Sequence, residues 1–376
     1  MLTIWTLALP ANATDPSFGL GVGGTYDFGI AVTGGDFDGD GLSDLAAAGR
    51  TLASGWEEPI VHVYDGATTA PGTSTSPSVS LAFEDVWWDP ALAAADVNGD
   101  GFDDLLVGIG RSFVECCGYV DVYLGSNAGL PSTRSARLEG FAFADYFGTS
   151  VASAGDVDGD GFDDVVIGAE YGDPSGASTG AAHLFLGSAT GLVEPPLRSW
   201  YGARNFDHLG EFVSGGGDVD GDGYDDVLVS APDALDGRGQ VQWYPGSPSG
   251  PADAPSAVLA GTNATSRIVG SIVGDVDGDG FADLVLRFQD ASGPGGIVYG
   301  RGGPTGPAID RVLAFPDPTG AVPHPAGDVN GDGFADFLVS SRWIDVAQIW
   351  LGGPSGPGWI PARALGGGSS EEWGCC

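Results

Sequence analysis

Short aliphatic runs recur along this chain, separated by polar, glycine-rich stretches. Leu105-Leu106-Val107-Gly108, Val165-Val166-Ile167-Gly168, Val227-Leu228-Val229-Ser230, Leu284-Val285-Leu286 and Phe337-Leu338-Val339 are the clearest. Runs of this length, bounded by Gly and Asp, are too short for helices and predict strands buried on both faces. A second set alternates in polarity: VHVYDG from Val61, VDVYLG from Val120, AHLFLG from Ala182, VQWYPG from Val241 and AQIWLG from Ala347. A turn of the form Gly-x-x-x-Gly-Leu/Pro follows, as in GSNAGL from Gly125 and GSPSGP from Gly246. A weaker third strand comes next (Ala136-Arg137-Leu138, Ala257-Val258-Leu259). A fourth, around Phe147-Gly148 and Val151 or Leu209-Gly210 and Val213, closes each unit.

One nine-residue phrase, Asp-x-Asp/Asn-Gly-Asp-Gly-x-x-Asp, separates successive units and occurs six times, at 36–44, 96–104, 156–164, 218–226, 275–283 and 328–336. The starts are 60, 60, 62, 57 and 53 residues apart. Four strands per unit cannot bury both faces alone, whereas units stacked around an axis do so and leave only short edges. A linear β-solenoid has far shorter rungs. The expectation is an all-β chain, a β-propeller of six complete four-stranded blades, or a seven-bladed ring closed by a partial blade from the two termini. Phe18 to Val22 and Trp373-Gly374 supply the strands for such a closure, and Ala362-Arg363-Ala364-Leu365 reads as the outer strand of the sixth unit. Residues 17–376 then form a single domain. Residues 1–16, with an apolar run from Leu2 to Leu9 and Ala11-Asn12-Ala13 in the form of a cleavage site, are either a clipped signal peptide or a closing strand.

Composition sharpens this picture. Ten Trp, ten Tyr and 18 Phe beside 66 Gly and 25 Pro describe many short strands and tight turns, and exclude both disorder and a helical bundle. The 51 acidic residues face only 13 basic ones, all arginine, for a formal charge of −38. Such a chain repels phosphate backbones and anionic lipid, so nucleic acid and membrane surfaces are poor partners. No stretch of 18 apolar residues is present to span a bilayer as a helix. The six phrases hold 25 Asp residues, about half of all the acids, so the charge is concentrated rather than spread as a solvating coat.

Carboxylates at positions 1, 3 and 5 converge if the backbone curls, and Gly at positions 4 and 6 permits the positive φ that a curl needs. A main-chain carbonyl at position 7 and a carboxylate at position 9 complete an oxygen shell of the kind Ca²⁺ takes. The candidate ligands are Asp36, Asp38, Asp40, Leu42 and Asp44 in the first loop, and Asp96, Asn98, Asp100, Phe102 and Asp104 in the second. The third and fourth offer Asp156, Asp158, Asp160, Phe162 and Asp164, then Asp218, Asp220, Asp222, Tyr224 and Asp226. The last two offer Asp275, Asp277, Asp279, Phe281 and Asp283, then Asp328, Asn330, Asp332, Phe334 and Asp336. Up to six Ca²⁺ ions are expected, held more weakly where Asn98 and Asn330 replace a charge. An EF-hand is excluded, because its twelfth position needs Glu and Val107, Ile167 and Val229 stand there, inside strands.

These phrases, with Phe28-Gly29, Phe147-Gly148, the degenerate Leu209-Gly210, and the endings Gly168-Ala169 and Ser230-Ala231-Pro232, resemble FG-GAP repeats, as in the N-terminal propeller of integrin α subunits. The resemblance covers about residues 17–366. It implies a calcium-bound propeller, secreted or at the cell surface, serving adhesion or ligand binding. Units five and six lack the Phe-Gly pair and the Gly-Ala ending, and no large inserted domain interrupts a unit, so integrin ligand chemistry does not carry over. If the loops line one rim, the opposite rim is aromatic-rich: Trp56 with Glu57 and Glu58, Trp87-Trp88, Tyr146, Tyr171, Trp200-Tyr201 and Trp343. Exposed aromatics beside polar residues suit a protein or glycan ligand, while aromatics wedged between blades are the structural alternative.

Catalytic motifs do not stand out. The four His residues (His62, His183, His208, His324) are scattered, and His62 and His183 fall at equivalent strand positions that point to structural roles. The expectation is a binding scaffold and not an enzyme. A polysaccharide-active lyase or glycosidase, or a purely structural module of a surface assembly, are the alternatives. The cysteines form two adjacent pairs, Cys116-Cys117 and Cys375-Cys376, with no metal-binding spacing.

Overall fold

The computed structural model describes residues 25–366 apart from 54–55, 67–75, 84–85, 87–88, 112–116, 143, 174–177, 262–265, 289–295, 314, 316–320, 342–345 and 359–360. Each aliphatic run and each alternating run becomes a strand, and the strands form six four-stranded antiparallel sheets in simple sequential order. Blade 1 comprises Thr25–Gly35, Asp44–Ala53, Trp56–Tyr64 and Val79–Ala82. Blade 2 comprises Ala91–Ala95, Asp104–Ile109, Tyr119–Tyr123 and Ala136–Glu139. Blade 3 comprises Phe147–Gly155, Asp164–Ala169, Ala181–Phe185 and Arg198–Tyr201. Blade 4 comprises Phe212–Gly215, Val227–Ala231, Gln240–Tyr244 and Ala257–Ala260. Blade 5 comprises Val269–Gly274, Asp283–Phe288, Gly296–Arg301 and Ala308–Leu313. Blade 6 comprises Ala321–Gly327, Asp336–Ser341, Val346–Trp350 and Arg363–Gly366.

The first strands of successive blades pack on one another from blade 1 to blade 6, which places them innermost. The described residues form a β-propeller of six four-stranded blades. Arg363–Gly366 is the outer strand expected at 362–365. The terminal strands proposed for a seventh blade, Phe18 to Val22 and Trp373-Gly374, lie outside the described residues, as does the segment 1–16.

Blades meet face to face, and that is why the aliphatic runs lack alternation. In blade 2, Leu105, Val107 and Ile109 point into a cluster with Ala46, Ala48, Val61 and Val63 of blade 1. Leu106, one residue out of phase, joins Val165 and Ile167 of blade 3 on the other side. The pattern repeats at the next three seams. Burying each such side chain contributes roughly 1.5–3 kcal/mol, so a second strand with both faces covered is the most apolar element of its blade.

The blade boundary falls one strand earlier than the repeat unit. The strand that precedes each acidic phrase pairs with the strand that follows it, so the phrase is a hairpin loop inside one blade rather than a link between two. All six phrases therefore lie at one end of the ring, together with the turns after the third strands. Connections from second to third strands, and from fourth strands to the next blade, lie at the opposite end.

Candidate metal centres and the opposite face

Each acidic phrase closes on itself through its carboxylates. In the third loop, Asp156 accepts the backbone N–H groups of Gly159, Asp160 and Gly161 at 2.7–2.9 Å. Asp158 Oδ1 accepts the N–H of Asp160, and Asp160 Oδ1 that of Phe162. Gly159 and Gly161 carry φ of +78° and +90°, a region that side-chain-bearing residues rarely adopt. The first position of the other loops is bonded alike, to Gly41, Gly101, Gly223, Gly280 and Gly333. The curl anticipated from the glycines is thus built the same way six times.

Position 9 anchors the curl to the sheet. Asp44, Asp104, Asp164, Asp226, Asp283 and Asp336 are buried, and Oδ2 of each accepts the N–H at position 2. Oδ1 accepts the N–H of a glycine just beyond the third strand: Gly66, Gly125, Gly187, Gly246, Gly302 and Gly352. Trp243 and Tyr299 add side-chain donors to Asp226 and Asp283. Burial nevertheless pushes the carboxyls of Asp44, Asp104, Asp164 and Asp226 up to about 7 and that of Asp283 to about 6, the backbone donors relieving only part of it. Asp38, Asp158 and Asp220 at position 3 are raised too, by burial and by neighbouring carboxylates.

Carboxylate oxygens converge where the sequence places ligands. Asp36, Asp38 and Asp40 each offer an oxygen within 4.8 Å of the others, as do Asp156, Asp158 and Asp164, and Asp218, Asp220 and Asp226. Asp36 Oδ1 is buried with no hydrogen-bond partner. An all-oxygen donor set with an orphaned buried carboxylate atom fits a hard divalent cation. In loops two and six the position-3 amides use their second atom as a donor: Asn98 Nδ2 to Asp100 and Asn330 Nδ2 to Asp332, both at 2.9 Å. That atom has no lone pair for a cation, which adds to the missing charge.

Two residues at the loops escaped the sequence reading. Asp65 joins Asp38 and Asp44 in a further carboxylate group. Arg301 ion-pairs with Asp277 at 2.5 Å. Both occupy the position just before the glycine that holds position 9, and the strand register is the signal that would have revealed them.

Adjacent loops are also clasped to one another. The N–H at position 8 donates to the position-1 carbonyl of the preceding blade's loop: Asp103 to Asp36, Asp163 to Asp96, Asp225 to Asp156, Ala282 to Asp218 and Ala335 to Asp275. Where position 8 is Asp, its carboxylate returns the bond by accepting the N–H of Asp36, Asp96 or Asp156 at 2.8–3.1 Å. The aromatic at position 7 lies on the position-4 glycine of the preceding loop, Phe162 on Gly99 and Tyr224 on Gly159. Much of the Asp richness in the phrase is therefore structural.

At the opposite end, side chains from four blades form a row. Arg111 lies over Tyr146 (5.5 Å), Tyr146 packs on Tyr171 (4.8 Å), and Tyr171 packs on His208 (4.9 Å). His208 Nδ1 is 2.9 Å from Asp233, which also pairs with Arg267, and Arg267 reaches Glu211 at 3.4 Å. Tyr146, His208 and Arg267 each stand just before a first strand with positive φ of 58°, 54° and 37°. His208 is held above its usual pKa, chiefly by the hydrogen bond to Asp233. Beside them, burial pushes the Glu170 carboxyl up to about 7.

Tyr146 and Tyr171 thus lie on the rim expected for them, and Tyr201 is exposed. Trp200 follows the packing alternative: it is buried between blades 3 and 4, stacked on Tyr244 at 4.2 Å, with its indole N–H on the carbonyl of Ala252. Trp87, Trp88 and Trp343 lie outside the described residues, as do the side chains of Trp56 and Glu57. His62 and His183 hydrogen-bond Ser80 and Ser199 across third and fourth strands, and burial lowers both, His183 to about 4. Cys117 is half-buried, and its neighbour Cys116 and the pair 375–376 lie outside the described residues.

Comparison with known proteins matches the FG-GAP repeat at residues 90–129 and 147–185, and the FG-GAP-like repeat at 36–107, 218–286 and 275–339. The chain belongs to the FG-GAP repeat family. It is 30% identical over 218 residues to integrin alpha-V of Gallus gallus, covering 54% of this chain and 20% of that protein. It is 32% identical over 226 residues to integrin alpha-5 of Xenopus laevis, covering 55% and 20%. The chain thus spans about a fifth of the length of these relatives. Among solved structures, rhamnogalacturonan lyase YesW aligns at 14% identity and TM-score 0.39, over 81% of this chain and 56% of that one.

The FG-GAP signature has a physical reading here. At two seams the glycine of a Phe-Gly or Leu-Gly pair faces the glycine that follows the aliphatic run of the preceding blade. A Cβ on Gly168 would meet the carbonyl oxygen of Gly210 at 1.9 Å, and one on Gly108 that of Gly148 at 2.4 Å. The two glycines let neighbouring backbones touch at the seam. Between blades 4 and 5, Ser230 takes the place of the first glycine and its hydroxyl accepts the N–H of Gly270 instead. At that seam the serine hydroxyl takes over the contact that paired glycines make between blades 2 and 3 and between blades 3 and 4.

Proposed function

We propose that this FG-GAP propeller is a calcium-stabilised, extracellular binding scaffold without catalytic activity. Calcium would be held by the carboxylates at positions 1, 3, 5 and 9 and the carbonyl at position 7 of the acidic loops. The ion would neutralise like charges that the fold forces together and so fix the loop end of the ring. The observation that carries this reading is the convergence of Asp36, Asp38 and Asp40 in the first loop, where the buried Asp36 Oδ1 has no hydrogen-bond partner. The rim at the other end, with Tyr146, Tyr171, His208 and Arg267, is the surface offered to a protein or glycan ligand. Kinship with integrin alpha chains supports adhesion as the setting. The paired carboxylates of the acidic phrases would be taken up by the cations.

Thermal unfolding with calcium and with chelator tests the cation reading. A ligand at a hundredfold excess over its Kd adds about 2.7 kcal/mol per site, so a rise in Tm of many degrees is expected. Equal melting temperatures would remove calcium from the account. Arrays of matrix proteins and glycans, probed in the same two buffers with wild type and Tyr171→Ala, test the rim. Binding lost in the variant but not in its melting curve supports a ligand there, and undiminished binding moves the ligand elsewhere.

A further inference from the structure

The third strands of all six blades share one register against the acidic loops. The residue after position 9 pairs with the residue two before the anchoring glycine in every blade: Leu45 with Tyr64, Leu105 with Tyr123, Val165 with Phe185, Val227 with Tyr244, Leu284 with Gly300 and Phe337 with Trp350. The next residue therefore stands at the same place beside every loop. It is Asp65, Leu124, Leu186, Pro245, Arg301 and Leu351 in turn.

Only in blade 5 is that residue cationic, and there it reaches into the loop. Arg301 Nη1 lies 2.5 Å from Asp277 Oδ2. The contact is not aligned as a hydrogen bond, so the guanidinium acts on the carboxylate as a close charge. Asp310 on the neighbouring fourth strand, 3.8 Å away, steadies the same side chain. The Asp277 side chain is 1% exposed, whereas position 3 is half-buried or exposed in the other five loops. The fifth loop otherwise has the same curl, with Asp275 accepting from Gly278, Asp279 and Gly280.

We propose that the fifth acidic loop is neutralised by the chain's own Arg301 in place of a bound cation. The phrase at 275–283 keeps the letters of a calcium site and lacks its function, because a divalent ion would have to displace a guanidinium of like charge from a buried carboxylate. The proposal rests on the reading of the remaining loops as calcium sites. It lowers their number from six to five at most and makes blade 5 the one blade whose loop needs no metal.

Equilibrium dialysis against calcium counts the sites. Leu is native at this position in three blades, so Arg301→Leu is a mild change, and it is expected to bind one more Ca²⁺ per chain than wild type. Asp277→Asn should weaken that extra site in the Arg301→Leu chain toward the affinity of loops two and six, and leave wild-type binding unchanged. The proposal is overturned if wild type binds calcium and Arg301→Leu gains none, or if Asp277→Asn alone weakens calcium binding by wild type. Melting in calcium-free buffer gives a second reading. Arg301→Leu should lower the melting temperature there, and Asp277→Asn on the same chain should recover it. Should neither chain bind calcium, the calcium reading of all the loops falls, and this second experiment decides by itself. A recovered drop supports an internal cation, and no drop overturns it.

Discussion

Glycine 99 and glycine 101 look interchangeable in the phrase at 96–104, yet their surroundings differ. Both adopt positive φ, 68° and 87°. A Cβ on Gly101 would meet nothing within 4 Å, while one on Gly99 would strike the Phe162 ring of the next blade at 2.7 Å. Gly101→Ala should therefore cost only the left-handed backbone penalty of roughly 1–2 kcal/mol. Gly99→Ala should add an overpacking cost of about 1–3 kcal/mol. Urea midpoints of the two variants test this, and equal losses would mean that the ring yields freely. The curl of the acidic phrases was legible from sequence because the same residue types recur at the same spacing six times. Asp65 and Arg301 were not, because neither belongs to the phrase and only strand register carries them to it. His208 was also missed, as a lone histidine gives no signal until its equivalence to Tyr146 ahead of a first strand is seen.

At the level of the strand and loop, the six complete four-stranded units were readable, while the closure of the ring was left between six and seven blades and the phase of the blades was not readable. A strand of small residues such as Ala91–Ala95 reads equally well as the end of one unit or the start of the next. Hydrogen bonding to the strand beyond the acidic phrase decides it, and that pairing is non-local information. The same holds for the clasp between loops. The doubled Asp at positions 8 and 9 looks like surplus metal-binding capacity, yet one of the pair links blades. Asp225 Oδ2 accepts the N–H of Asp156 at 3.1 Å and fills the space beside Gly155. Asp225→Ala would leave that donor unpaired at a cost of about 1–3 kcal/mol. Burial already pushes the Asp225 carboxyl up to about 6, so Asp225→Asn, which keeps an acceptor and sheds the charge, should retain most of the stability. Denaturation of both variants without calcium measures the difference. Equal losses in the two would show that the charge, not the acceptor, matters at this seam.

Over the whole ring, a formal charge of −38 is gathered largely at one end of a propeller whose seams are apolar. Seam packing drives the blades together, and the loops they carry are brought into mutual repulsion as a consequence. Burial, with a smaller share from neighbouring carboxylates, raises four of the position-9 carboxyls to about 7. Their folded-state values exceed the ~3.9 of an unfolded Asp, so the calcium-free folded chain binds more protons than the unfolded one between about pH 4 and pH 7. Stability of the calcium-free protein should then fall as pH rises through that window, the reverse of ordinary acid denaturation. Calcium takes only deprotonated carboxylates, so its stabilising effect should grow across the same range. Melting temperatures with and without calcium at pH 5 and pH 7.5 examine both signs together. The gap should be wider at pH 7.5, and mainly because the calcium-free form has lost stability rather than because the calcium-bound form has gained it. A gap of equal size at the two pH values would mean that the loops hold their protons too weakly for cation and proton to compete, and the carboxyls at position 9 would then be anchors for the backbone alone.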